Sequence, residues 1–325
     1  MDTMFLNACK AGQKGVIEAF LKKGGININK RDALGNTPLY YVCIKGARDL
    51  VQLLIQAGAD VSQANNNSQA PIHRIAENGN KEIITLFIAG GADINATDKE
   101  GKTPLLYAIK AGKTETALFF LSQGADQTIK DNEGFNALDY ATAAGLRDLV
   151  VALSKTAGVN QKDDNGNTPL HQAVYNGQSE TVKALLKQDT STINEVNNEG
   201  QTPLVLAVQN SNIGVVEQLI QAGADINSSL LNGNSPLHYA AAIGNRFIAK
   251  LLVDQGAAIN ALNTYSESPL IVAAYQGHND FTALLIDAGA NLNQVDDSSK
   301  SAMAYASEKG FTEIVEQLLM AGATN

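Results

Sequence analysis

The sequence has no long apolar segment. No uninterrupted apolar run approaches the roughly 18 residues that a membrane-spanning helix needs. The first residues, Met-Asp-Thr-Met-Phe, also lack the basic-then-apolar pattern of a secretory signal. We therefore expect no membrane partner, and we predict a cytoplasmic location, either in the cell that makes the protein or in a host cell to which it is delivered.

Cysteine is scarce, since only Cys9 and Cys43 occur. They hold the same place in adjacent copies of the repeated unit described below. Stacked helices lie about 8–10 Å apart, whereas a disulfide needs Cα atoms within about 7 Å. We predict two buried free thiols, which suits a reducing compartment.

Motifs of catalytic, metal and phosphate chemistry are missing. The sequence contains no His-Glu-x-x-His, Cys-x-x-Cys or Gly-x-Ser-x-Gly motif and no glycine-rich phosphate loop. The acidic pairs Asp163–Asp164 and Asp296–Asp297 stand at the starts of turns, where they are not expected to act as acid–base dyads. We predict that the protein is not an enzyme and that it uses no cofactor and no metal.

Positive charge is scarce in one half of the chain. Residues 1–162 hold 18 Lys/Arg and 16 Asp/Glu, whereas residues 163–325 hold 6 and 17, so the net charges are +2 and −11. The acidic half is either scattered surface charge that aids solubility or a negative field for a basic partner. A phosphate backbone calls for a basic stripe, so we expect no nucleic acid partner.

Proline is confined to one repeated position. This position, or its equivalent, recurs every 32–34 residues, at Pro38, Pro71, Pro104, Ala137, Pro169, Pro203, Pro236, Pro269 and Ala302. A fixed period of this length predicts a solenoid of stacked repeats. We predict a single domain, 1–325, with repeats at 1–30, 31–63, 64–96, 97–129, 130–161, 162–195, 196–228, 229–261, 262–294 and 295–325.

Each repeat carries the signals of two helices. A Thr or Ser precedes the proline, as in Thr103-Pro104, and can cap the first helix, although Ala70 fails in this role. A large apolar residue and an alanine three residues later share one helix face. A glycine then ends the first helix, a second apolar helix follows, and the remaining residues carry turn chemistry. We predict an all-α chain.

The unit resembles the ankyrin repeat. The family pattern Thr-Pro-Leu-His-x-Ala matches residues 168–173, and residues 235–240 differ from it only at the cap. The resemblance covers about residues 2–323 and implies an elongated, curved stack of antiparallel helix pairs with β-hairpin-like loops. In that family histidine at this motif position hydrogen-bonds the turn, which would account for His73, His171 and His238. The resemblance also implies binding of other macromolecules.

Two flaws in the period lie in the middle of the chain. Repeat 5 ends in a loop that is one residue short near residues 157–160, and repeat 6 ends at residues 189–192 with an extra residue and without its glycine. Such flaws indicate either tolerated loop drift or a hinge within residues 153–195. The sequence leaves both alternatives open.

The family resemblance places the usual binding surface on the hairpin tips and the exposed side of the first helix. Most of these positions are polar or small, and the exceptions are Leu34, Ile44, Phe135, Tyr175, Leu231, Ile243, Tyr265 and Tyr275. Exposed apolar and aromatic residues are typical hot spots of interfaces, although isolated ones are common on any surface. A second column, Tyr41, Tyr107, Tyr140, Tyr239 and Tyr305, is expected to be half-buried, with hydroxyls that reach the surface.

These patterns predict a non-enzymatic protein–protein interaction module, such as an adaptor, an inhibitor or a delivered effector. The alternatives are a regulatory or targeting part of a larger enzyme system and a structural homo-oligomer. Because the last repeat ends in an ordinary apolar helix, weak self-association through it is the alternative to a monomer.

Overall fold

The computed structural model describes residues 1–157 and 162–324 and divides the chain into two compact units, Met1–Gly158 and Val159–Asn325. Both units consist of stacked helix pairs, which confirms the predicted all-α repeat fold. The shortened loop of repeat 5, near residues 157–160, falls mostly outside the described residues. The hinge and the single ten-repeat domain therefore stay predictions.

The described part of the first unit contains ten helices in five pairs. They are α1 (Asp2–Ala11), α2 (Lys14–Lys23), α3 (Pro38–Ile44), α4 (Arg48–Gln56), α5 (Pro71–Asn78), α6 (Lys81–Ala89), α7 (Pro104–Lys110), α8 (Thr114–Ser122), α9 (Ala137–Ala143) and α10 (Arg147–Ala157). Each helix packs on its pair mate, and the first helix of each repeat contacts the first helix of the next.

The second unit repeats this arrangement. Its helices are α11 (Pro169–Tyr175), α12 (Ser179–Gln188), α13 (Pro203–Gln209), α14 (Ile213–Gln221), α15 (Pro236–Ile243), α16 (Arg246–Asp254), α17 (Pro269–Gln276), α18 (Asn279–Asp287), α19 (Ala302–Lys309) and α20 (Thr312–Met320). In the described residues the only β-type pairing is a single bridge between Val295 and Ser301.

The Thr-Pro pair begins the first helices as predicted. The hydroxyl of Thr37 accepts a hydrogen bond from the N–H of Tyr40 at 3.1 Å, and Asn136 caps α9 in the same way. Ala70 has no side-chain acceptor, and the N–H of His73 bonds to the Ala70 carbonyl at 3.1 Å, as the N–H of His238 does to the Ser235 carbonyl at 3.0 Å. Loss of a side-chain cap typically costs about 1 kcal/mol, so α5 begins less favourably than its neighbours.

The first helices end in the left-handed backbone conformation. Gly12 ends α1 with φ 72°, and Gly244 ends α15 with φ 78°. Ser211 breaks the glycine column after α13, yet it adopts φ 54°. A non-glycine residue in this region costs roughly 1–2 kcal/mol, so the stack imposes the turn even where the sequence does not favour it.

The core combines large side chains with alanine. Leu105 and Ala108 on α7 are both buried, as are Phe87, Phe120 and Phe281 on second helices. Burial of one such large apolar side chain contributes about 1.5–3 kcal/mol. Cys9 and Cys43 belong to this core as free thiols, as predicted, and burial raises the pKa of Cys9 to about 12.

Asparagine side chains connect the ends of consecutive repeats. The Oδ1 atom of Asn95 accepts a hydrogen bond from the N–H of Asp126 at 2.8 Å, 31 residues later. The same bond joins Asn29 to Asp60, Asn194 to Asp225, Asn227 to Ala258, Asn260 to Asn291, and Asn293 to Thr324. One residue type thus fixes the spacing of the loops within each unit.

Hydrogen bonds from tyrosine hydroxyls connect the first helix to the hairpin turn of the same repeat. Four column tyrosines donate to the aspartate nine residues earlier, namely Tyr41 to Asp32, Tyr107 to Asp98, Tyr140 to Asp131 and Tyr305 to Asp296, at 2.5–2.6 Å. Tyr107, Tyr140, Tyr239 and Tyr305 are half-buried, as expected, whereas Tyr41 is buried. Tyr239 has Leu230 at the equivalent position, and the Nδ2 atom of Asn232 lies 3.5 Å from its hydroxyl.

Candidate functional site

The motif histidines connect neighbouring repeats. The Nδ1 atom of His171 accepts a hydrogen bond from the N–H of Thr168 at 3.2 Å, and its Nε2 atom donates to the Gln201 carbonyl of the next repeat at 3.0 Å. His238 makes the same contacts with Ser235 and Glu267. These bonds occupy both ring nitrogens in a structural role, as the family resemblance implies.

Burial keeps these imidazoles neutral. Desolvation lowers the pKa of His73, His171 and His238, although backbone carbonyls and nearby acids partly oppose it. A neutral ring donates from Nε2 and accepts at Nδ1, which matches the observed partners. In the part of the chain that the structure describes, no three His, Cys, Asp or Glu side chains are placed to hold a metal ion.

Seven of the eight predicted contact residues are exposed. They are Leu34, Ile44, Tyr175, Leu231, Ile243, Tyr265 and Tyr275, with Leu231 at 84% and Tyr175 at 71% relative exposure. Phe135 is half-buried, because its ring packs edge-on against Tyr140 with the centroids 6.2 Å apart. Five of the eight belong to the second unit, so that unit holds the larger set of candidates.

The second unit separates its charges by element. Between residues 163 and 299 lysine and arginine occur only on second helices, at Lys183, Lys187, Arg246 and Lys250. The hairpins and first helices of the same segment carry Asp164, Glu199, Glu267 and Asp297 beside the exposed tyrosines. The surface formed by residues 163–299 is therefore acidic and aromatic, and the cations nearest to it, Lys162 and Lys309, come from outside this segment.

A groove lies on this surface between repeats 8 and 9. It encloses about 200 Å³, and its lining includes Tyr239, Glu267, Val272, Tyr275 and Gln276. Tyr239 belongs to α15 and the last three to α17, whereas Glu267 comes from the hairpin of repeat 9. Adjacent first helices thus form its walls, and a carboxylate lies at its hairpin end.

A groove of the same kind in the first unit is charge-compensated. It lies between repeats 3 and 4, encloses about 390 Å³, and is lined by Arg74, Glu77, Glu100 and Lys102 among other residues. Arg74 pairs with Glu77 at 2.8 Å, and Lys102 pairs with Glu100. The two grooves share their place in the repeat but not their charge.

Phe247 is 74% exposed at the start of α16 and is not among the predicted contact residues. At the equivalent position seven of the ten repeats have an acid, and several of these acids pair with the preceding repeat, as Glu115 does with Lys81 at 3.1 Å. A comparison of the second residue of each second helix would have shown that Phe247 is the one large apolar residue at this position. Met320, on the last helix, is 84% exposed and was not predicted as an exposed residue either.

Helices long and apolar enough to cross a bilayer do not occur among residues 1–157 and 162–324. A family model described as "Ankyrin repeats (3 copies)" matches residues 1–65, 72–163, 138–230, 193–263, 216–296 and 237–325. These overlapping matches take in nearly the whole chain, in agreement with the helix pairs, the caps and the histidine contacts. The chain therefore belongs to the ankyrin repeat family, whose repeats generally serve as protein–protein interaction modules.

Proposed function

We propose that this protein is a non-enzymatic adaptor, inhibitor or effector that binds a partner protein through its hairpin tips and first helices. The candidate contacts are Leu34, Ile44, Phe135, Tyr175, Leu231, Ile243, Tyr265 and Tyr275. Exposed tyrosine and large apolar side chains support this role, because such residues supply much of the binding energy at interfaces.

One observation carries the proposal: the hairpins and first helices between residues 163 and 299 combine exposed tyrosines with carboxylates and have no lysine or arginine. A surface on which one charge sign predominates attracts partners of the opposite sign and speeds their association. The partner surface should therefore be basic. The buried free thiols Cys9 and Cys43 suit a reducing compartment and so support action in the cytoplasm.

The test is a selection of displayed peptides on the full-length chain, followed by affinity measurements with fluorescence anisotropy. We expect the selected segments to be rich in lysine and arginine. Replacement of Tyr175, Tyr265 and Tyr275 by alanine should weaken their binding at least about 30-fold, which corresponds to roughly 2 kcal/mol.

A matched control removes three exposed side chains from second helices. Alanine at Lys183, Glu217 and Lys250, all exposed, should leave the affinity within about twofold of the wild-type value. Segments that bind the tyrosine variant as tightly as the wild type would contradict the proposed surface.

Self-association is a second candidate, because Leu319 and Met320 are exposed at the end of α20. We propose that the protein is nevertheless a monomer, since two adjacent side chains form a small patch compared with stable interfaces of about 1,200–2,000 Å². Light scattering at increasing protein concentration tests this, and a dimer mass that Met320→Glu abolishes would favour self-association instead.

A further inference from the structure

The chain fills one of its own inter-repeat grooves with an arginine. Arg74 on α5 donates from Nε to the Tyr40 hydroxyl at 2.8 Å, and its guanidinium carbon lies 5.6 Å from the centre of the same ring. Its other nitrogens donate to Glu77 at 2.8 Å and to Gln69 at 3.1 Å. A tyrosine, a carboxylate and an amide thus hold a guanidinium between repeats 2 and 3.

The groove between repeats 8 and 9 offers the same kinds of groups without the arginine. Val272 occupies the position in repeat 9 that Arg74 occupies in repeat 3, three residues after the repeated proline (Pro269 and Pro71). The groove is lined by Tyr239 and Tyr275, and Glu267 holds the position of Gln69, two residues before the proline. A short apolar side chain therefore leaves open the space that an arginine fills elsewhere.

The size of the groove fits one side chain. Its volume is about 200 Å³. Pockets for drug-sized ligands are larger, about 300–1,000 Å³. A single protruding side chain of a partner therefore suits the groove better than a free small molecule of that class.

The groups in the groove favour a cation. Glu267 accepts a hydrogen bond from Asn263 at 2.7 Å through Oε2. The lining contains no lysine or arginine, and its one imidazole, that of His238, is buried. Lys309 of repeat 10 already lies over the ring of Tyr275, with Nζ 4.0 Å from its centre. This tyrosine is thus placed to take a cation on its face.

We propose that the groove between repeats 8 and 9 binds an arginine side chain of the partner protein, in the way that the groove between repeats 2 and 3 binds Arg74. This inference rests on the proposed function and names the residue that the partner must present. Arginine is preferred to lysine because its planar guanidinium can stack on a tyrosine ring and donate to several acceptors at once.

The probe is α-N-acetyl-arginine amide, added to the full-length chain with ¹³C-labelled tyrosine rings and followed by NMR. We expect saturable shifts of the Tyr239 and Tyr275 signals, which Tyr→Phe variants identify. The citrulline amide keeps the shape but lacks the charge, so it should bind about tenfold more weakly. The lysine amide should bind at least about threefold more weakly than the arginine amide.

Three variants test the geometry. Val272→Arg places an arginine where Arg74 stands in repeat 3, so it should fill the groove and abolish the tyrosine shifts while the chain stays folded by circular dichroism. Glu267→Gln should weaken arginine binding about tenfold. Glu199→Gln removes the same charge from an exposed site on the hairpin of repeat 7 and should leave binding unchanged.

The inference is overturned if the arginine amide produces no saturable shift, if citrulline or lysine binds equally well, or if Val272→Arg still binds the probe. Such a result leaves the proposed function standing when displayed peptides still need Tyr175, Tyr265 and Tyr275. The reverse result, arginine binding without peptide binding at those tyrosines, refutes the proposed function and retains the groove as a cation site.

Discussion

Repeat 8 lacks the tyrosine–aspartate hydrogen bond that joins the turn to the first helix in repeats 2, 4, 5 and 10. One substitution should restore it. In repeat 4 the Oδ1 atom of Asp98 accepts from the N–H groups of residues 100 and 102 at 2.9 Å each, and its Oδ2 accepts from the Tyr107 hydroxyl at 2.6 Å. In repeat 8 the turn has similar backbone bonds, and Tyr239 is present, but Leu230 replaces the aspartate. We predict that Leu230→Asp stabilises the protein.

The magnitude follows from the new hydrogen bonds and from the apolar burial that leucine provides and aspartate does not. A hydrogen bond contributes about 0.5–1.5 kcal/mol net, and somewhat more when the acceptor is charged. Two of the three bonds would be new, because the N–H of Asn234 already donates to the Asn232 side chain at 3.1 Å. These two are offset by about 1 kcal/mol for a half-buried leucine, which is part of the 1.5–3 kcal/mol of full burial. The expected net gain is about 1–2 kcal/mol, and about 1 kcal/mol of it should depend on the hydroxyl of Tyr239.

The gain should also depend on pH. Burial alone would raise the pKa of Asp98, but the hydrogen bonds from Tyr107 and from the turn N–H groups outweigh it, so the pKa lies below its usual value. A carboxylate with a lowered folded-state pKa stabilises above its unfolded pKa, about 3.9, and loses this contribution as the pH falls through the folded value. The Leu230→Asp gain should be fully present at pH 7 and should decrease as the pH falls below about 3.9.

The assay is a double-mutant cycle of Leu230→Asp and Tyr239→Phe. Because repeat arrays need not unfold in one step, urea unfolding is combined with hydrogen exchange of residues 228–240. Tyr239→Phe alone should change stability by less than about 0.5 kcal/mol, because no aspartate binds its hydroxyl. A coupling energy below about 0.3 kcal/mol, or a destabilising Leu230→Asp, would refute the reasoning.

Three further predictions follow from caps, imidazoles and thiols. Ala70→Thr should raise the free energy of unfolding by about 1 kcal/mol and Thr103→Ala should lower it by a similar amount, both measured in urea. Because burial lowers the pKa of His171 and His238, the unfolded chain binds more protons than the folded one below about pH 6.5. Stability should therefore fall as the pH drops through this value. Replacement of His171 and His238 by glutamine should make the midpoint of urea unfolding depend less on pH. The buried thiol of Cys43 should react with a disulfide reagent only after unfolding, and fast reaction of the native chain would show that it is accessible.

The period predicted the fold because each local signal repeats in register. Seven prolines at one position, capping side chains and helix-ending glycines all indicate the same helix pair, and such agreement between levels is what specifies a structure. Ser211 shows that the stack overrides a single local exception, since it adopts the glycine conformation.

Contacts between repeats could be predicted less well than the helices within each repeat. The asparagine at the end of six repeats, such as Asn95, has the chemistry of an ordinary turn residue, although its side chain binds the backbone 31 residues later. The tyrosine–aspartate pairs are nine residues apart, a spacing that fits neither a helix face nor a strand. The groove beside Val272 depends on which side chains of two neighbouring helices leave space, and a helical pattern does not show this.

Repeat 8 departs from the other repeats at positions where structure alone offers no reason. Leu230 replaces an acidic or amide residue that eight of nine turns have, Leu231 beside it is 84% exposed, and Phe247 replaces an acid on α16. Local choices that give up stability are expected mainly at functional sites. If Leu230→Asp stabilises the chain yet weakens the selected basic peptides, the apolar turn serves binding. If it stabilises the chain and leaves peptide affinity unchanged, the turn of repeat 8 lies outside the interface, and the binding surface must be sought at Tyr175, Tyr265 and Tyr275 alone.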